Sequence, residues 1–244
     1  MNKYLESIFE TKTFHTADGK LVRINSETER NQCEFLQKII SAHHFTRTIE
    51  IGFAFGISAL AITEAVAKNN GRHTIIDKFE FTDWNGVGVD LLDQAGFAEL
   101  YELHEEYCYI VLPKLLFEGR KFDFAYIDST KQFDWLLVDF FYLDKMLEKH
   151  GIIVFDDVTF PGIRKLLRLL ARFPGYKVYD VYPERGVFNS LRSIISLFNF
   201  TSKTKKHHNL KFLIKDLCLG INAHCVAIQK IDEDTRNWDW HKDF

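Results

Sequence analysis

The chain has 244 residues, of which 46% are hydrophobic, and a formal net charge of −3. It can therefore build one large core, and its charge excludes bulk attraction to nucleic acid, so nucleic acid is not an expected partner. No apolar run approaches the ~20 residues that span a bilayer, and the N-terminus carries no apolar signal region. The four cysteines have no C-x-x-C spacing, which fits reduced thiols in a cytoplasmic protein and argues against a zinc site.

Residues 1–47 form a helical lead-in to the motif around which the chain is organised. A turn is predicted at residues 15–20, and Ser26-x-x-Glu29 resembles a capping box at the start of an amphipathic helix. The motif itself, T-I-E-I-G-F-A-F-G-I-S at 48–58, predicts a strand, a glycine turn and a helix. That helix is expected to end near Gly71, which would serve as its C-cap.

The glycine spacing in this motif indicates the kind of ligand. Glycine lets a ligand approach the backbone, and the helix N-terminus offers free N–H groups. The pattern of Glu50, Gly52 and Gly56 is Glu-x-Gly-x-x-x-Gly, which differs from the Gly-x-Gly-x-x-Gly that accommodates a pyrophosphate. The motif therefore favours a nucleoside with a sugar and no phosphates over a dinucleotide.

Strands and helices alternate along the rest of the chain. Further strands are predicted at residues 73–77, 99–105, 122–128, 151–155, 176–182 and 225–231, and helices at 89–95, 113–117, 133–149 and 163–172. This alternation predicts a single α/β domain with a doubly wound, mostly parallel seven-stranded sheet and helices on both faces. Residues 183–222 are an extra segment whose apolar stretches could form a lid or a dimer contact. Its basic run at 203–208 is interpreted as a solvated loop in preference to a membrane, RNA or acidic-substrate contact.

Acidic residues follow four of the predicted strands. Because ligands bind beyond the carboxyl ends of parallel strands, these acids are expected at one rim of the sheet. Asp77 follows Glu50 by about the interval at which an acid bonds ribose hydroxyls in nucleotide-binding units, and this role is favoured over a helix-capping or solvated acid. The other members are Asp128 and the pair Asp156-Asp157.

The later acids suggest a cation. Three gathered carboxylates repel one another, and a hard divalent ion such as Mg²⁺ would relieve the repulsion. The competing interpretation is that Asp128 serves a cofactor while Asp156 and Asp157 cap a helix or bond the backbone. Lys131 lies on the loop after Asp128, where it could act as a base or simply neutralise the acidic rim.

These motifs together carry a family resemblance. T-I-E-I-G-F-A-F-G-I-S-A-L, I-I-D, F-D-F-A-Y-I-D-S-T-K and G-I-I-V-F-D-D-V resemble, in order and spacing, the class I S-adenosylmethionine-dependent methyltransferases. The similarity is strongest to the catechol O-methyltransferase-like group and its bacterial small-molecule relatives. It covers roughly residues 26–172 and the last strand. The chain departs from many bacterial relatives at Ser129 and Lys131, where they carry Gly and His.

The resemblance implies a Rossmann-like fold and a role for each site residue. The implied cofactor-binding residues are Glu50, Gly52, Gly56, Ser58, Asp77, Glu105, Cys108 and Asp128. The implied metal ligands are Asp128, Asp156 and Asp157, and the implied catalytic residues are Lys131, as the base, and Asp128.

The expected function is thus S-adenosylmethionine-dependent O-methylation of a small hydroxylated molecule, with Mg²⁺ as the candidate metal. One alternative is a metal-independent methyltransferase of the same fold that acts on a nitrogen or a carboxylate. Another is a module that binds S-adenosylmethionine without catalysis. A nicotinamide dehydrogenase is disfavoured by the missing phosphate-loop glycine. A homodimer is a further expectation.

Overall fold

The computed structural model describes residues 1–25, 28–183 and 216–243. They fall into two compact units, Met1–Ser129 with Asp139–Glu148, and Thr130–Val138 with Lys149–Phe244. The helices are α1 Lys3–Thr11, α2 Arg30–His43, α3 Ile57–Ala67, α4 Val87–Gln94, α5 Cys108–Phe117, α6 Phe133–Met146 and α7 Pro161–Leu170. The strands are β1 Thr13–His15, β2 Leu21–Arg23, β3 Arg47–Ile51, β4 Arg72–Ile76, β5 Tyr101–His104, β6 Phe122–Ile127, β7 Leu147–Phe155, β8 Tyr176–Tyr182 and β9 Cys225–Lys230.

The main sheet has seven strands, and β1 and β2 form a separate hairpin. In the first unit the order is β5-β4-β3-β6, and all of these neighbours are parallel. In the second unit the order is β7-β9-β8, with β9 antiparallel to both of its neighbours. The predicted doubly wound, mostly parallel α/β class is confirmed.

Burial explains why the central motif folds as predicted. Four of the five residues of β3 are buried, and β4 shows the same burial pattern. Nine of the eleven residues of α3 are also buried, which is typical of a helix enclosed within a core. The glycine turn is therefore held between two rigid elements.

Several boundaries differ from the predicted ones. Helix α5 begins at Cys108, five residues before the predicted start at Pro113. Proline lacks a backbone N–H and has a fixed φ, and for that reason Pro113 resembled the first residue of a helix. Helix α2 begins at Arg30, and its N-cap Glu29 makes no side-chain capping bond. The other half of the predicted capping box, Ser26, lies outside the described residues. The residue with left-handed backbone after α3 is Asn70, not Gly71.

Other predictions are only partly covered by the structure. Most of the extra segment, residues 184–215, lies outside the described residues, so its role as lid or dimer contact stays a prediction, as does the single-domain organisation. Helix α1 and the β1–β2 hairpin were not predicted within the lead-in. Among the described residues, no helix combines the length and apolar character needed to cross a membrane.

Candidate active site

The glycine turn between β3 and α3 leaves no room for side chains. Gly52 has a φ of 98°, and a Cβ there would lie 2.1 Å from the backbone oxygen of Asp128. Gly56 is the N-cap of α3 with a φ of 73°, and its Cβ would lie 2.9 Å from the Cα of Gly88. Both positions therefore require glycine for backbone conformation and for close packing, independently of any ligand.

Asp77, which follows β4, holds the glycine turn in place. Its Oδ2 accepts hydrogen bonds from the backbone N–H groups of Phe53 at 2.7 Å and Ala54 at 3.1 Å. Its Oδ1 accepts one from the N–H of Phe79 at 2.8 Å. A carboxylate has about four acceptor positions, so Asp77 keeps capacity for a ligand hydroxyl while it anchors the turn.

Glu50 belongs to a buried polar network at the end of β3. Its side chain is 0% exposed; Oε1 accepts a hydrogen bond from the Ser58 hydroxyl, and Oε2 lies 3.2 Å from His73 Nε2. Thr48 Oγ1 lies 2.9 Å from the other ring nitrogen of His73. Burial lowers the pKa of His73 to about 3, so its imidazole is neutral near pH 7. Glu50 and Ser58 thus brace the turn from within the core.

The segment after β5 contains the two remaining predicted cofactor residues of this region. Glu105 is exposed, whereas Cys108 is partly buried as the first residue of α5. Burial, and secondarily the carboxylate of Asp139, raises the pKa of the Cys108 thiol far above its ordinary range. This thiol stays protonated, which excludes a nucleophilic role and leaves a contact role.

Glu80 is a buried acid in the same unit that the sequence did not single out. Its Oε1 accepts hydrogen bonds from the N–H groups of Gly88 at 2.9 Å and Val89 at 3.2 Å, at the start of α4. Its Oε2 is buried and has no hydrogen-bond partner within the described ranges. Burial raises the pKa of Glu80 to about 7 despite these two donors.

In the second unit, the predicted base and one predicted metal ligand form an ion pair. Lys131 Nζ lies 3.0 Å from Asp157 Oδ2. A lysine in such a pair carries its proton, so the predicted catalytic role of Lys131 requires the pair to open. Mg²⁺ at Asp157 would have to bind Oδ1 or displace this ammonium group from Oδ2. The set of Asp128, Asp156 and Asp157 draws on both units, and it stays a prediction.

Asp156 has two neighbours that the sequence analysis did not assign to a site. His224 Nε2 lies 3.3 Å from Asp156 Oδ1, and Cys225 Sγ donates to the same oxygen at 3.1 Å. Phe155 pairs with Val226 in antiparallel register, so the residue after β7 meets the residue that begins β9. A prediction that the last strand runs antiparallel to its neighbour would have indicated this contact, because that direction places His-Cys beside Asp-Asp.

An open cleft of about 710 Å³ lies in the first unit between the β1–β2 hairpin and the start of α4. Lys20, Arg23, Trp84 and Asp90 line it with charged and aromatic groups, and Phe55 brings the glycine turn to its edge. The predicted cofactor residues themselves do not line this cleft. The cleft therefore borders the glycine turn at Phe55 without including the predicted cofactor residues.

Comparisons with known proteins relate part of this chain to methyltransferases. Residues 49–158 match a family model described as "Methyltransferase domain". A probable caffeoyl-CoA O-methyltransferase 1 of Dictyostelium discoideum is 28% identical over 55% of this chain and 57% of its own length. The O-methyltransferase hkm8 of Aspergillus hancockii is 26% identical over 53% of this chain and 49% of its own length. The chain thus matches about half the length of these curated relatives.

A solved structure shows the same fold. The O-methyltransferase TomG of Streptomyces achromogenes, involved in tomaymycin synthesis and crystallised in complex with SAM, superimposes with a TM-score of 0.59 at 21% identity. The superposition covers 73% of this chain and 82% of TomG.

Proposed function

We propose that this chain, whose residues 49–158 match a family model described as "Methyltransferase domain", is an S-adenosylmethionine-dependent O-methyltransferase. It would transfer the methyl group of S-adenosylmethionine to a hydroxyl of a small molecule. The observation that carries the proposal is the glycine turn, which Asp77 anchors through Phe53 and Ala54 and which lies within the matched residues. Both curated relatives are named as O-methyltransferases, which supports oxygen as the acceptor atom.

The cofactor would lie on the first unit. Gly52 and Gly56 keep side chains away from the turn, and the spare acceptor positions of Asp77 suit ribose hydroxyls. Glu50 and Ser58 would support the cofactor indirectly by fixing the turn from the core side, because Glu50 is fully buried. Following the resemblance, Glu105 and Cys108 are assigned to the adenine side of the cofactor, and Asp128 to a position between the cofactor and the metal.

The proposed reaction breaks one bond and forms another. S-Adenosylmethionine supplies an electrophilic methyl group on sulfur; the carbon–sulfur bond breaks as the carbon–oxygen bond forms, and the acceptor hydroxyl loses its proton. The protein must align the acceptor hydroxyl with the methyl group. It must also either accept the proton of that hydroxyl or stabilise the oxygen anion that remains. We assign the proton to Lys131, which must first separate from Asp157 and release its own proton to solvent, so that a neutral amine receives the proton of the acceptor. A divalent cation held by the carboxylates would lower the acceptor's pKa.

The partner assignments belong to the same proposal. We expect a small-molecule substrate and no nucleic acid, with the homodimer and the cytoplasmic location of the sequence analysis kept as proposals. Residues 183–222 are proposed to act as a lid or a dimer contact.

Isothermal calorimetry with S-adenosylmethionine, followed by mass spectrometry of a panel of hydroxylated small molecules, tests the proposal. We expect micromolar-range binding and a methylated product, both reduced in the Asp77→Asn variant. Binding without product across the panel would favour a non-catalytic module. Product formation that survives EDTA would favour a metal-independent enzyme. Absence of binding in a folded protein would refute the proposal.

A further inference from the structure

The second unit contains a cluster of three different metal-binding side chains. Asp156, His224 and Cys225 each offer one ligand atom, and these atoms all lie within 4.8 Å of one another. Asp156 and Cys225 are buried, while the His224 side chain is 38% exposed. A mixed oxygen, nitrogen and sulfur set is unlike the oxygen-only environment that Mg²⁺ prefers.

From this cluster we propose that Asp156, His224 and Cys225 bind a zinc-like divalent transition-metal ion. The cysteines lack a C-x-x-C spacing, which on the sequence alone argues against zinc. The ligands here instead come from the ends of two strands that pair in antiparallel register. Thiolate and imidazole ligands favour zinc and its neighbours in the first transition series over magnesium.

The distances agree with a tetrahedral centre. Zinc binds sulfur at about 2.3 Å and nitrogen or oxygen at about 2.0–2.2 Å, so tetrahedral ligand atoms lie roughly 3.4–3.6 Å apart. The observed separations are 3.1 Å between Cys225 Sγ and Asp156 Oδ1, and 3.3 Å between His224 Nε2 and the same oxygen. These two separations would have to lengthen by only a few tenths of an ångström to admit an ion.

The backbone around the cluster supports the ligands. The N–H of His224 donates to the carbonyl of Tyr182, and the carbonyl of His224 accepts from the N–H of Val158, both at 2.8 Å. The N–H of Asp157 donates to Asp156 Oδ1 at 2.7 Å. Hydrogen bonds to metal-binding residues hold those residues in the orientation that the ion requires. The site is therefore built on strand ends that are already fixed.

Within residues 1–25, 28–183 and 216–243, the cluster supplies three ligands, so that the fourth position of a tetrahedral ion would be left for water or a hydroxyl. Asp157 Oδ1 is 4.0 Å from His224 Nε2, and the other oxygen of Asp157 pairs with Lys131. Three protein ligands with an open fourth position are characteristic of catalytic zinc, where water or a hydroxyl binds. Use of that position to activate an acceptor hydroxyl rests on the proposed function, whereas metal binding itself does not.

Charge balance also favours a divalent ion. On binding, the Cys225 S–H bond is replaced by a sulfur–metal bond, and the proton goes to solvent. The thiolate and the Asp156 carboxylate together neutralise the two positive charges of the ion. His224 binds as a neutral imidazole.

Cobalt substitution tests the site without using activity. Untagged protein is stripped with chelator under reducing conditions and titrated with Co²⁺ in the absence of S-adenosylmethionine. We expect one equivalent to produce a near-ultraviolet thiolate-to-cobalt charge-transfer band and intense visible bands of a tetrahedral centre. Zn²⁺ should abolish both bands, and excess Mg²⁺ should not.

Variants assign the ligands. Cys225→Ser should remove the charge-transfer band, whereas Cys218→Ser, at an exposed cysteine of the same unit, should retain it. His224→Ala should weaken Co²⁺ binding by at least about tenfold, the loss found even for residues that only orient a ligand. Asp157→Asn should leave the cobalt spectrum unchanged. If the ion were bound by Asp128, Asp156 and Asp157 instead, this substitution would alter the spectrum.

The outcomes separate this inference from the proposed function. No charge-transfer band in the wild-type protein, or a band that survives in folded Cys225→Ser, would overturn the metal site. Circular dichroism of each variant establishes that it is folded. Calorimetry with S-adenosylmethionine is a separate measurement, so loss of cofactor binding alone leaves the cobalt result intact.

Discussion

The Glu80→Gln substitution should change how the stability of the protein depends on pH. Glu80 is fully buried, and burial raises the pKa of its carboxyl from 4.5 to about 7. A raised pKa means that the folded state holds the proton more tightly than the unfolded state. The resulting stability is fully present below pH 4.5 and is lost as the pH rises through 7. Gln keeps an acceptor for the N–H groups of Gly88 and Val89 but cannot ionise.

The size of the effect follows from the two pKa values of Glu80. Each pKa unit corresponds to about 1.4 kcal/mol, so ionisation lowers the free energy of unfolding by about 0.8 kcal/mol at pH 5 and about 3.3 kcal/mol at pH 8. The difference between variant and wild type should therefore shift by about 2.5 kcal/mol in favour of Glu80→Gln over this range. The substituted Gln side chain has amide hydrogens without a partner, and these lower the free energy of unfolding equally at both pH values. They therefore do not affect the change of the variant's difference from wild type with pH.

Urea unfolding monitored by circular dichroism at pH 5, 6, 7 and 8 measures this difference. Glu99→Gln is the matched control, because it removes the same charge from an exposed position of the same unit. Its difference from wild type should stay nearly constant across the series. If the Glu80→Gln curve also runs parallel to wild type, Glu80 is not held in an environment that resists its ionisation, and the reasoning fails.

Three further substitutions test other features. Gly52→Ala should destabilise the protein by at least about 2 kcal/mol in urea unfolding, because its Cβ would overlap the backbone oxygen of Asp128; a neutral effect would contradict that close approach. Asp77→Ala should weaken S-adenosylmethionine binding by about 1–3 kcal/mol in calorimetry, and unchanged affinity would remove Asp77 from the site. Arg168→Ala should cost about 3–5 kcal/mol of unfolding free energy, because it leaves the buried Asp216 without its bidentate partner at 2.5 and 2.7 Å; stability equal to wild type would show that another group compensates.

Strands β3, β4 and β6 could be predicted because each is a short, mostly buried run that is followed by an acid or a turn. This pattern depends on local burial, which is why the predicted and observed limits of β3, β4 and β6 nearly coincide. Helix α5 was placed too late because a proline can either start a helix or, as Pro113 does, lie within one. Local pattern alone does not distinguish these cases.

The site was less predictable where it depends on long-range contacts. Glu80 lies in a polar stretch that suggests exposure, and only the packing of α4 buries it. His224 and Cys225 stand 68 residues or more along the chain from Asp156, and they meet it only because β9 runs antiparallel to β7. Glu50 was correctly placed beside the turn, but its partners Ser58 and His73 emerged only from the fold.

The tight packing of Gly56 on Gly88 couples the turn to α4, and α4 in turn is tied to the hairpin. Asp90 of α4 accepts a hydrogen bond from the N–H of Ala17 at 3.0 Å, and Gln94 donates to the carbonyl of His15 at 3.0 Å. Restraint applied at the turn is thereby transmitted to a surface hairpin that contains none of the predicted cofactor residues. Amide hydrogen exchange at Ala17 would then slow when the turn is occupied, so this hairpin could report on ligand binding from a distance.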